Sequence, residues 1–308
     1  MGRYAIRRLL QLIPVLLGTT FLINYMVWQL PGDPFAGRCG QRPCPDAYVN
    51  AMRSQFGLDQ PVLIQYWHFL TNMLTGNLGV DFNQVPVSTT LGAAWPITIR
   101  LALMAVAFEA VIGIGAGVLS GLKRGGFTDN IVTISTLILL SLPVFVTGYL
   151  LQWMLGVQLH VVEPTVSPEA PIDELIVPAL VLASLNMAFT ARLTRTSIVE
   201  NLRADYVRTA VAKGLTNRRV VGIHLLRNSL IPVLTFLGTE VGSLMSGAII
   251  TEGIFNINGI GGILWRAITG QDYTIVVPVT SLLVLVYLVS NLLVDLLYGV
   301  LDPRIRYE

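Results

Sequence analysis

Three carboxylates, Glu109, Glu240 and Asp295, stand inside long apolar runs of a 308-residue chain. An ionised carboxylate at the middle of a bilayer costs at least about 2.5 kcal/mol, so each must meet a partner, line a wet cavity or hold a proton. Glu240 has Ser243 and Gly247 at i+3 and i+7, a small polar strip on one helical face that suits the wall of a translocation path. Glu109 suits either path lining or a structural hydrogen bond. Asn291 and Asp295, spaced i, i+4 near the end of the last apolar run, oppose the helix dipole and read as an anchor for the tail through Arg304 or a basic loop. Cys39 and Cys44, the only two cysteines, lie in CGQRPC, and on an oxidising side they are expected to form a small disulfide loop. A tetrahedral metal site would need two further ligands, and no histidine is near in sequence, so no metal site is assigned.

Catalytic chemistry finds no footing. A Walker A loop needs Gly before its lysine and Ser or Thr after it. Neither lysine has that setting: Lys123 lies between Leu122 and Arg124, and Lys213 between Ala212 and Gly214. No G-x-S-x-G elbow or H-E-x-x-H helix is present, and His68, His160 and His224 fall in three different connections. His160 with Glu163 reads as an ordinary loop pair. No catalytic residue is assigned, and the chain is expected to bind neither ATP in the P-loop manner nor any other cofactor.

The segment 205–232 is basic, helix-patterned and set between apolar runs. Asp205 is expected as the N-cap and Gly214 as the terminator of a short helix, Tyr206 to Lys213, whose surface is small at Ala210 and Ala212. Thr216 or Asn217 can start a second helix in which Val220, Val221, Ile223 and Leu226 alternate with Arg218, Arg219 and Arg227, an elbow lying along the membrane surface. Composition leaves two readings of the segment: a socket piece for a cytoplasmic partner, or a hairpin held by anionic lipid.

The elements that would position these groups are membrane helices. The chain is 53% hydrophobic and 12% charged, with a mean hydropathy of +0.66, which excludes an ordinary soluble core. About twenty apolar residues cross a bilayer, and six runs qualify, at 9–30, 97–122, 131–155, 175–191, 229–250 and 275–300. The first is too long for a signal-peptide core and lacks a cleavage site, so it reads as a retained span. Fifteen Lys and Arg fall on one side of this pattern and four on the other, with Arg100 inside the second run, which puts both termini and the loop 192–228 in the cytoplasm. The basic residues form no single stripe, so nucleic acid is not an expected partner.

The expected organisation is a cytoplasmic N-terminus and first span at 1–30, an outer loop with short helices at 31–96, and a core of five spans at 97–308. In the outer loop, Asp46 can cap a helix ending near Gly57, and 62–74 forms a second that stops before Gly76. Tyr66, Trp67 and Phe69 on it are expected at headgroup level, as helices resting on the membrane rather than as a binding site. Gly113, Gly117 and Gly121, and again Gly238, Gly242 and Ser246, repeat every four residues and suit close helix packing within the chain. Pro143 should kink the third span.

YVRTAVAKGLTNRRVVGIHLLRNSLIPVL, at 206–234, resembles the EAA loop of ATP-binding cassette importer permeases of the dipeptide, oligopeptide and nickel class. GAIITEGIFNINGIGGILWRAITGQDY at 247–273, NLLVDLLYGVLDPRIRY at 291–307, the opening RYAIRRLLQLIPVLLGTTFLI, LPGDPF and FGLDQP also resemble that class. The tail and the long first outer loop look like the first, B-type, of its two permease subunits. Two features depart: Arg208 stands where the loop has its naming Glu, and Asn256-Ile257-Asn258-Gly259 stands where a proline often precedes the glycine.

The resemblance implies an all-α polytopic chain of six spans, N-in and C-in, with the type I ABC importer permease (MetI-like) fold, in a bacterial or archaeal plasma membrane. It implies a second homologous permease, two cytoplasmic ATPases carrying ATP and magnesium, and an extracytoplasmic substrate-binding protein that delivers a peptide or similar solute. Carried onto this sequence, the ATPase-coupling residues are Asp205, Tyr206, Arg208, Ala210, Ala212, Lys213 and Gly214. Six spans with buried acids alone would also suit a gradient-driven transporter or channel.

Overall fold

The computed structural model describes residues 2–28 and 44–301, apart from the side chains at 2–5, 241, 245–247, 295 and 297–301. Backbone polar groups in hydrocarbon must be satisfied within the chain, and here helices do so. Among the described residues only a single bridge, Val80 with Pro86, has strand character. In chain order the helices are α1 (Gly2–Trp28), α2 (Asp46–Gln55), α3 (Val62–Leu74), α4 (Val87–Phe108), α5 (Ile114–Leu122), α6 (Phe127–Ser141), α7 (Val144–Leu151) and α8 (Ile172–Asn201). Then come α9 (Asp205–Ala212), α10 (Asn217–Arg219), α11 (Leu226–Ser229), α12 (Ile231–Gly247), α13 (Ile249–Ile254), α14 (Ile260–Thr269) and α15 (Tyr273–Leu301). Wide π turns at Glu109–Gly113 and Val220–Leu225 join α4 to α5 and α10 to α11, and a third at Gln152–Gln158 prolongs α7.

Four stretches are long and apolar enough to cross a bilayer unbroken: Ile6–Trp28, Val87–Leu122, Ile172–Asn201 and Tyr273–Val294. Two bent pairs, Phe127–Ser141 with Val144–Gln158 at 104° and Asn217–Ser229 with Ile231–Leu244 at 46°, bring the number to six if each pair is counted as one span. The second helix starts ten residues before the expected 97, and the fourth runs well past 191. Hydropathy marks only the apolar part of a helix, and both helices continue beyond it on more polar turns, at 87–96 and 192–201. Pro143 makes a corner rather than a kink: Leu142 before it is extended, at φ −98° and ψ 127°, as a residue preceding proline prefers.

The chain folds as two units, 1–96 with 258–308, and 97–257. In the first, α1 packs on α15 and α3. The Tyr66 hydroxyl donates to the Leu17 carbonyl at 2.9 Å and lies 2.9 Å from the Thr20 hydroxyl. Phe21 meets the Tyr66 ring edge-on at 5.2 Å, and Trp28 meets Tyr273 at 6.0 Å, so the end of α1 stands by the start of α15. The N-caps of α2 and α3 are Pro45 and Pro61, with Asp46 one residue inside α2 and making no side-chain cap. Its charge still lies at the positive end of the helix dipole.

In the second unit α8 is the central post. A Cβ on Gly113 would stand 3.0 Å from Thr190, one on Gly117 2.5 Å from Ala191 O and Thr194, and one on Gly121 2.8 Å from Ile198. The glycine stripe that starts at the end of the π turn and runs along α5 is therefore filled by Thr190, Thr194 and Ile198 of α8, close packing that stands in for a hydrophobic drive absent between helices in lipid. Residue numbers rise together along this seam, so α5 and α8 run in the same direction. The chain between them must cross back, which makes the bent pair α6 and α7 a crossing. Against α11 and α12, by contrast, numbers run oppositely: Ser197 donates to Ser229 O at 2.9 Å and Asn186 to Glu240 at 2.8 Å. A core of Leu101, Leu175, Val181, Leu244, Ile254 and Ile257 joins α4, α8, α12 and α13.

Candidate coupling surface and buried carboxylates

The short helix α9 begins at Asp205, its N-cap position being Ala204, in extended backbone and without a side-chain cap. The expected N-cap is thus displaced by one residue, and Asp205 acts on the dipole from the first turn. Its ion pair with Arg208 is loose, at 3.6 Å with both side chains in solvent, and contributes little. Gly214 stops the helix at φ +73°, with Leu215 N–H bonding Ala210 O and Gly214 N–H bonding Val211 O. These two bonds are a Schellman closure, in which a left-handed residue is required. Nothing lies within 4 Å of where a Gly214 Cβ would stand, so its task is to close the helix.

The two faces of α9 divide the expected coupling residues. Val207 and Ala210 are buried against Ile198 of α8 and against Val220 and Leu225 of the elbow, with Leu215 and Val118 beside them. Asp205, Tyr206, Arg208, Ala212, Lys213 and Gly214 are exposed. Ala210 is small because it seats α9 on its own chain, whereas Ala212 leaves the outer face low. Tyr206 donates to Asn201 Oδ1. Thr216 takes the N-cap position of α10 without a side-chain bond; Arg218 and Arg219 on α10 are exposed, and the π turn that follows buries Val220 and Leu225 and leaves His224 half-buried.

Beside this surface sits a cluster that spacing did not reveal. Arg195 of α8 grips Asp129 of α6 with both carboxylate oxygens, Nε to Oδ1 at 2.6 Å and Nη2 to Oδ2 at 2.9 Å. Ser120 of α5 donates to Oδ1, and Gly125 N–H to Oδ2 at 2.8 Å. The Asp129 side chain is 5% exposed. One carboxylate thus ties the cytoplasmic ends of α5, α6 and α8. Its only sequence signal was an acid at the head of an apolar run.

Glu109 is fully buried within the π turn after α4, accepting from Thr190 at 2.7 Å through Oε1, while Oε2 has no hydrogen-bond partner among the described residues. Glu240 on α12 accepts from Asn186 at 2.8 Å and Ser243 at 2.6 Å, both on Oε2, and is half-buried. Ser243 and Glu240 are thus together as spacing suggested; the surroundings of Gly247 and the side chain of Asp295 lie outside the described residues, as do Cys39 and Arg304. Glu252 was missed as a buried acid: it is fully buried on α13 and accepts from Thr98 of α4 at 2.8 Å. After it, Asn256 at φ +52° closes α13, two residues before the Asn258 that stands at the expected proline position, with Ile257 N–H on Glu252 O at 2.8 Å. Asn tolerates this left-handed region better than most side chains. No cluster of three or more metal-ligating side chains occurs among the described residues.

The family model described as the binding-protein-dependent transport system inner membrane component matches residues 113–307, and the N-terminal model of the same membrane components matches residues 1–102. The chain belongs to this family. Over full lengths it is 38% identical to the glutathione transport system permease protein GsiC of Pectobacterium atrosepticum and 34% to the dipeptide transport system permease protein DppB of Escherichia coli. A di/tripeptide transport system permease protein of Pseudomonas aeruginosa is 38% identical over 98% of both chains. Among solved structures, a chain of the inward-facing MetNI methionine ABC transporter superposes with a TM-score of 0.56 at 19% identity, over 69% of this chain and 96% of that one. This likeness carries the fold: an all-helical, type I importer permease. The chain is accordingly an inner-membrane permease component of an ATP-driven importer, a transport subunit rather than an enzyme.

Proposed function

We propose that the chain is one of a pair of permeases carrying peptides, dipeptides to oligopeptides, inward across the plasma membrane after delivery by a substrate-binding protein, with ATP and magnesium bound on two cytoplasmic ATPases. The observation that carries this reading is the full-length similarity to permeases named for dipeptide, di/tripeptide and glutathione transport. The outer face of α9, with Asp205, Tyr206, Arg208, Ala212 and Lys213, is the ATPase-docking surface; Ala210 and Gly214 shape it from within. Support comes from its exposure on a helix whose other face is anchored to α8 and the elbow. A push on α9 is thereby delivered to α8 and, through Ser197 and Ser229, to α12.

Glu240 and Ser243, with Gly247 on the same helix, line the path, while Glu109, fully buried and bonded to Thr190, serves α4–α8 packing. Cys39 and Cys44 form a disulfide on the outer side. Residues 1–30, 31–96 and 97–308 act as anchor, outer segment and translocating core, with the coupling loop at 192–228.

The test is uptake into proteoliposomes holding both permeases and the ATPases, with the binding protein outside the vesicles and ATP within. Accumulation of labelled dipeptide that requires ATP and binding protein is expected. Uptake by this chain alone on a proton gradient would replace the reading with a secondary transporter.

A further inference from the structure

The first unit holds a half-open cavity of about 450 Å³, in the size range of small-ligand sites. It lies between the end of α1, the start of α15, and the α2–α3 region, which the charge distribution places on the outer side. α3 is held to α1 by the Tyr66 hydroxyl at Leu17 O and Thr20 and by the Phe21–Tyr66 ring pair, so the wall is built, not merely resting on lipid. Of the three aromatics expected at headgroup level, Phe69 turns into the cavity and Trp67 is 63% exposed.

The lining is specific in chemistry. Asn24, Gln55 and Asn72 contribute amides, and Trp28, Phe69 and Tyr273 contribute rings. None of the described lining residues is Asp, Glu, Lys or Arg. Asn24 is only 4% exposed, on a largely apolar span, and lines the cavity.

We propose that this cavity binds a short uncharged stretch of peptide chain, its main-chain amides paired with Asn24, Gln55 and Asn72 and one apolar side chain seated among Trp28, Phe69 and Tyr273. Amide side chains supply both donor and acceptor to a peptide unit, and a wall without Asp, Glu, Lys or Arg, in which His68 is the one titratable side chain besides Tyr273, leaves peptide termini in water. Blocked and free peptides are therefore bound alike. The assignment rests on the peptide-import reading for its biological source of ligand, but the binding itself is tested separately.

The probe is N-acetyl-alanyl-benzoylphenylalaninamide, photo-crosslinked to the complete importer in lipid nanodiscs without binding protein. Labelling on α3 or the end of α1, competed by N-acetyl-Ala-Phe-amide, is expected. It should fall at least tenfold in Asn24→Leu and in Asn72→Leu, variants whose thermal unfolding is checked in parallel. Labelling that the blocked peptide does not compete, or that both variants retain, overturns the cavity assignment even where ATP-driven uptake is normal. Competed, variant-sensitive labelling in an importer that takes up no peptide supports the cavity and removes only the import reading.

Discussion

Asp129 holds three helix ends with one carboxylate. Removing one partner of a buried, hydrogen-bonded ion pair leaves the other uncompensated, at a cost of about 3 kcal/mol, the lower end of the range because the Arg195 side chain is 31% exposed. Asp129→Asn should therefore lower the thermal unfolding midpoint of the purified chain in detergent. Arg195→Lys should do so in part, since an ammonium cannot span both oxygens. Gly214 makes a second, smaller case. At φ +73° with open space around it, an alanine there meets strain and no clash, on the order of 1 kcal/mol. Gly214→Ala should speed amide exchange in α9 about fivefold, and Gly214→Asn should speed it less.

Among helices, the α5–α8 seam has the least slack. Gly117 faces Ala191 O and Thr194 at a distance no side chain tolerates, so Gly117→Leu must force the two helices apart. The expected outcome is loss of assembled importer on size exclusion, where Gly115→Leu, with open space at its Cβ, assembles normally. The seam was legible as a four-residue glycine repeat, since small residues at that spacing declare a close approach. The corner at Pro143 was legible only as a kink, because a proline names the break while its angle of 104° is set by what α7 packs on. The buried acids divide likewise: Glu240 with Ser243 could be read from one helix, but Glu252 with Thr98 and Asp129 with Arg195 join residues far apart in sequence, which local spacing cannot foresee.

In the whole molecule, a cytoplasmic push has to reach the membrane through α9. Helix α9 presents one face to solvent and fastens the other to Ile198, Val220 and Leu225. Bulk at Ala210 would injure the chain's own packing and says nothing about docking. Bulk at Ala212, which is exposed, obstructs only what approaches from outside. The direct measurement is uptake per ATP hydrolysed by reconstituted Ala212→Trp importer, with unfolding and permease pairing measured on the same sample. The account predicts at least a tenfold fall in uptake per ATP, with unfolding and pairing unchanged. A stable, fully assembled Ala212→Trp importer that transports with wild-type coupling would contradict it.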